Sequence, residues 1–131
     1  MAAFTAYFDA AGKTQSPVLA VTGFVSSFKK WKRFEETWES VLAREHVTAF
    51  HMTEFVSSKG EFSDWRGQTE RRNRFLRDLL GCCEKHTRKA FAMVVVMQAW
   101  RDVNERFQLQ EHARHPYAFC GHRCIEQVER W

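Results

Sequence analysis

The sequence predicts an α/β domain, and three observations carry that expectation. Two segments near the start, FTAYFD and VLAVTGFV, alternate or run apolar at the two-residue period of strands. Two longer charged segments carry apolar residues at the 3.6-residue period of helices. A third strand candidate, FAMVVVM at 91–97, follows them. The 131 residues fit one domain, with no repeat, low-complexity linker or visible boundary. With 44% hydrophobic residues, 12 phenylalanines and five tryptophans against two prolines, the chain can build a real core.

Taken in order, Phe4, Ala6 and Phe8 point to one side of the first strand, and Thr5, Tyr7 and Asp9 to the other. Ala10 to Ser16 is a turn built around Gly12, and residues 18–25 form the hairpin partner after Pro17. Trp31, Phe34, Trp38, Val41 and Leu42 line one face of a helix from about Phe28 to Glu45. AFHMTEF, 49–55, alternates over a short span and reads as a strand or extended segment. SSKGEFSDWRGQ, 57–68, is polar with two glycines and reads as a loop pinned by Phe62 and Trp65. Thr69 caps a helix to about Lys85, with Phe75, Leu76, Leu79, Leu80 and Cys83 as its stripe. The run 91–97 is apolar enough for a central strand. Helices follow near 99–109 and from Pro116 to the end.

The last helix carries Tyr117, Cys120, Cys124, Val128 and Trp131 on one stripe that reaches the final residue without a cap. The expectation is that the chain is the first part of something longer. The stripe would then be covered by a second copy, making a homo-oligomer, or by a C-terminal partner.

Composition narrows the function classes. No apolar run approaches the roughly 20 residues of a membrane helix, and the start lacks the pattern of a signal peptide, so a cytoplasmic protein is expected. Four cysteines, two of them adjacent at 82 and 83, do not resemble a secreted disulfide framework. The net charge of +4 is unevenly placed: from Arg66 to Lys89 eight basic residues face three acids, a local excess of +5. Arg71, Arg72, Arg74 and Arg77 on the helix after Thr69 are the candidate phosphate contacts, against the plainer reading of a solvated helix face.

Asp9 ends a strand beside a glycine turn. It is either an ordinary turn former or the leading carboxylate of a hard-metal site, where oxygen ligands hold Mg2+ or Mn2+. His51 and Glu54 are the second contributors. Three apart, they neighbour one another on a helical turn and point to opposite faces on a strand. HARHPYAFCGHRC offers His112, His115, Cys120, His122 and Cys124 as zinc ligands. However, both cysteines fall on the core stripe, and buried thiols are the stronger reading. The tryptophans are read as core rather than as base-stacking platforms.

The ordered set YFDAAGKT, PVLAVTGFVSSFKKWKRFEETWESVL, FHMTEF, GEFSDW and RRNRFLRDLL resembles the bacterial and phage family called domain of unknown function 3800. PYAFCGHRC is similar to one of its subgroups, and the likeness spans the first half or so of a typical member. It implies a ribonuclease-H-like mixed sheet flanked by helices, incomplete at the C-terminus. Asp9 matches the family's leading aspartate, Gly12 its turn glycine, and His51 and Glu54 its His-x-x-acid motif. Ala10 departs from the pattern, since many members carry a second acid there. The implied function is a metal-dependent nuclease or phosphodiesterase. Asp9 and Glu54 would be its Mg2+ or Mn2+ ligands, His51 a positioning or proton-transfer group, and nucleic acid the partner. The alternative is a non-catalytic binding or assembly module of a defence or mobile-element system.

Overall fold

The computed structural model describes residues 3–13 and 15–131, so one position of the predicted Ala10–Ser16 turn lies outside it. The described residues form two compact units. One takes in Met1–Ser26 with Arg88–Trp131, and the other Ser27–Thr87.

The sheet unit is built on β1 (Phe4–Ala11), β2 (Val18–Ser27) and β3 (Lys89–Val96). They form a three-stranded antiparallel sheet in the order β1-β2-β3. The β2–β3 register sets Leu19 opposite Val95, Val21 opposite Met93 and Gly23 opposite Phe91. On that face lies a core of Leu19, Val21, Val95, Met97, Cys120 and Cys124, with Phe8, Tyr117 and Phe119 packed against it. Gly23 is needed there, because a Cβ would stand 2.3 Å from the Phe8 ring. β3 is a flanking strand, not the central one its composition suggested. Phe91 and Val95 are buried, whereas Val94 and Val96 on the opposite face are half exposed, so the apolar run covers one face and leaves the other open. Three helices complete the unit, α4 (Met97–Phe107), α5 (Leu109–His112) and α6 (Pro116–Arg130), the last packing on β3.

The helical unit contains α1 (Phe28–Arg44), α2 (Met52–Ser57), a 3₁₀ turn at Gly60–Trp65, and α3 (Thr69–His86). Its core of Val41, Leu42, Val47, Phe55, Phe62, Trp65, Phe75 and Leu79 is joined by Phe50. The rings of Phe50, Phe55, Phe62 and Phe75 pack mostly edge to face, with centroids 5.3–6.1 Å apart. Phe62 and Trp65 are buried as expected, but they do so from the 3₁₀ turn rather than from an irregular loop.

Three further sequence expectations change in this unit. AFHMTEF is not a strand: His51 is extended and Met52–Ser57 is helical, closed by Ser58 in the left-handed region. Seven alternating residues are too few to separate the two periods, and the packing of Phe55 decides. Gln68 takes the N-cap of α3, displacing Thr69 to the first helical position. Its buried face comprises Phe75, Leu79, Cys82 and His86, so Leu80 is exposed and Cys82 replaces Cys83.

Candidate functional site

Asp9 stands near the end of β1, exposed, on the rim of an open groove of about 410 Å³ lined also by Phe8, Ala10, Val21, Tyr117 and Gly121. Strand alternation puts Phe8 into the core and turns Asp9 away from it. Its Oδ1 accepts the Ala10 N–H at 2.8 Å, an Asx-type contact that orients the carboxylate locally. Gly12 follows at φ +93°. A Cβ there would meet the Val18 carbonyl oxygen at 2.5 Å, so the turn requires glycine. The wall opposite β1 comes from α6, whose Tyr117 hydroxyl donates to the Gly12 carbonyl.

His51 and Glu54 belong to the helical unit. The helical reading of their spacing is the one realised: His51 is the N-cap of α2, and Glu54 lies in its first turn, where a carboxylate complements unpaired backbone N–H groups. The Glu54 carboxylate lies against Gly60, where a Cβ would stand 2.4 Å from Oε2. Gly60 also has φ +56°, so both its backbone angle and the close carboxylate call for glycine.

Glu61 escaped sequence reasoning. Its carboxylate accepts from the Thr48 N–H at 2.9 Å, the Thr48 hydroxyl at 3.0 Å and the Ala49 N–H at 3.3 Å, ordering the segment that leads into His51. The Thr48 backbone bond holds this carboxyl below its ordinary range. The partners lie 12 and 13 residues upstream, a separation that no local motif announces.

The arginines of α3 are largely engaged within their own unit. Arg71 lies 4.0 Å over the Trp65 ring and pairs with Glu45 at 2.8 Å; Arg74 reaches the same carboxylate at 3.2 Å. Arg72 donates to the Phe55 carbonyl and to Ser58 Oγ at 3.1 Å, with its guanidinium over the Phe55 ring. Arg77 is exposed. Cys120 and Cys124 are buried, and burial pushes both thiols up. Their place in the core agrees with the buried-thiol reading. His122 is exposed, and His115 caps α6. Among the described residues no three His, Cys, Asp or Glu side chains gather closely enough to hold a metal ion, and no helix is long and apolar enough to cross a membrane.

No family model, curated protein or solved structure matches the chain.

Proposed function

We propose that the chain is a divalent-metal-dependent, nuclease-like phosphodiesterase domain acting on nucleic acid, with Asp9 as the leading ligand for Mg2+ or Mn2+. One observation carries this reading: Asp9, exposed near the end of β1, is among the residues that line a groove between β1 and α6. The fit to an ion is limited, because the groove lining supplies one carboxylate and many members of the resembled family carry a second acid where Ala10 stands. With one carboxylate from the chain, waters and substrate phosphate oxygens would have to supply the rest of the shell of Mg2+ or Mn2+. Bound there, the ion would neutralise phosphate charge and acidify a water. The chain's own residues hold Asp9 in orientation through Ala10, and Phe8 and Val21 give the groove an apolar wall.

The resemblance assigns Glu54 a ligand or water-orienting role and His51 a positioning or proton-transfer role. In their own unit the two share the start of α2. Calorimetric titration of Mn2+ into the full chain tests the reading. Binding should weaken at least tenfold in Asp9→Asn, and equal affinity in the two proteins would remove Asp9 from the site. Glu54→Gln and His51→Gln are then measured separately.

A non-catalytic binding module is the second reading. It is favoured by Ala10 and by the internal engagement of Arg71, Arg72 and Arg74. On that reading Mn2+ leaves the melting temperature unchanged, since an ion that does not bind the folded state cannot stabilise it.

A further inference from the structure

One edge of the sheet is open, and the hydrogen-bond ladder fixes which groups it presents. β3 stands last in the order β1-β2-β3, with no strand on its outer side among the described residues. The Met97 N–H donates to the Pro17 carbonyl at 2.9 Å, one step beyond the register that sets Val18 opposite Val96. Bonded and non-bonded pairs alternate along an antiparallel ladder, so Leu19–Val95, Val21–Met93 and Gly23–Phe91 are the pairs that exchange bonds. Ala90, Ala92, Val94 and Val96 therefore turn their N–H groups outward, and Ala90, Ala92 and Val94 their carbonyls too. Edge strands are commonly guarded by a lysine, a proline or a bulge. Residues 90–96, AFAMVVV, contain no charge and no proline. Beside this edge runs an open groove of about 280 Å³ lined only by apolar residues, Met93 to Val96 from β3 and Trp100 and Val103 from α4 among them.

We infer that a second copy of the chain docks on this edge, its β3 pairing antiparallel with the first about a two-fold axis at Met93, perpendicular to the sheet. The outward groups belong to even-numbered residues, so only a register that sets even opposite even can form bonds. With the axis at Met93, Ala92 of each copy faces Val94 of the other, and Ala90 faces Val96. Lys89 then falls opposite Met97, so no like charges meet across the ladder. A pair of short strands is small beside the roughly 800 Å² per partner of a standard interface. The same axis also brings the two α4 helices together on the core side, because α4 flanks the groove along this edge and its Trp100 packs on the core. Trp100, Val103 and Phe107 recur on one face of that helix, and Val103 and Phe107 are 40% and 66% exposed. With Val94 and Val96, each 54% exposed, they supply the apolar area that the strands lack. Cys120 and Cys124 of the α6 stripe are already buried against the sheet, so that stripe offers a second copy less. The docking needs no ion at Asp9.

Sedimentation equilibrium on the full chain across a concentration series should show a reversible monomer–dimer exchange. Val94→Lys sets a charge from each copy close to the axis and should weaken dimerisation about tenfold or more. The melting temperature of the dilute monomer should stay unchanged, since the site is on the surface. Ala92→Pro deletes an outward N–H and leaves β2 its bonds, which an edge strand tolerates, and it should weaken dimerisation too. Amide exchange followed by NMR reads the ladder itself. The Ala92 and Val94 amides should exchange fast when dilute and slow about tenfold or more as the dimer forms, while Met93 and Val95 stay protected throughout. A monomer at every concentration overturns the inference and leaves the edge to a strand of another protein. A dimer untouched by either substitution lies on another surface and overturns it as well. Dimerisation that leaves Ala92 and Val94 exchange unchanged means that the copies pack without pairing strands, and the two-fold ladder is then wrong.

Discussion

A carboxylate 6% exposed is costly to keep charged, and Glu45 is kept charged by two guanidiniums. Burial pushes its carboxyl up, but the bonds and charges of Arg71 and Arg74 outweigh this and leave it below its ordinary value. Arg71 and Arg74 are themselves partly exposed, so the loss is that of the charged hydrogen bonds: Glu45→Ala is expected to destabilise the protein by about 1.5–3 kcal/mol, read by urea denaturation. Cys82 shows the opposite balance: burial drives its thiol to about 11, and its Sγ–H donates to the Phe34 carbonyl at 3.5 Å. It should resist alkylation at pH 8 in the native state and react in denaturant, as mass spectrometry of iodoacetamide-treated protein would show.

At the scale of elements, α3 is where electrostatics and packing compete for the same residues. Arg72 covers the Phe55 ring and bonds the Phe55 carbonyl, so Arg72→Ala is expected to cost about 1.5–3 kcal/mol, the range for hydrogen bonds to charged groups. Arg77, exposed on the same helix, separates phosphate binding from stability. If the helix meets a phosphate backbone, Arg77→Glu should weaken binding to a single-stranded oligonucleotide and flatten its salt dependence at unchanged melting temperature. Fluorescence anisotropy across a salt series checks this. Affinity untouched by the charge reversal would leave α3 as a scaffold helix. The aromatic cluster is less ambiguous: Phe62 is fully buried, and Phe62→Ala should lose about 3–5 kcal/mol.

At the scale of the whole molecule, the titrations add up to acid lability in two stages. His86 is buried, its Nε2 3.0 Å from Thr37 Oγ1. Burial first, then the charges of Lys85, Lys30 and Arg33, lower its pKa below 6.5. The unfolded chain therefore takes up this proton first. The stabilisation from neutral His86 is full above pH 6.5 and is lost as the pH falls through the folded value. Glu45 and Glu61, both depressed, add a second loss below their ordinary value of 4.5. Thermal melts between pH 7.5 and 3.5 should fall in these two steps. His86→Gln should remove the first and keep the second, and an unchanged first step would clear His86 of responsibility.

Most of the elements were legible in the residue pattern. β1, β2, α1, α3, β3 and α6 follow from periods of two and 3.6 residues, and Phe62 and Trp65 announced their burial by being aromatic in a polar stretch. The pattern also placed Asp9 near the end of a strand and before a glycine turn, while the requirement for glycine at position 12 came from the structure. Tertiary structure decided what periodicity cannot reach. Seven residues around His51 satisfied both periods, and the ring of Phe55 among Phe50, Phe62 and Phe75 selected the helix. The apolar composition of β3 did not say how many of its faces are covered, since that depends on its neighbours in the sheet. The pairings of Arg71 with Glu45, Glu61 with Thr48, and Tyr117 with Gly12 join residues 26, 13 and 105 positions apart. Local sequence encodes the shape of each segment. Which distant carbonyl or carboxylate a side chain finds is settled when the segments pack.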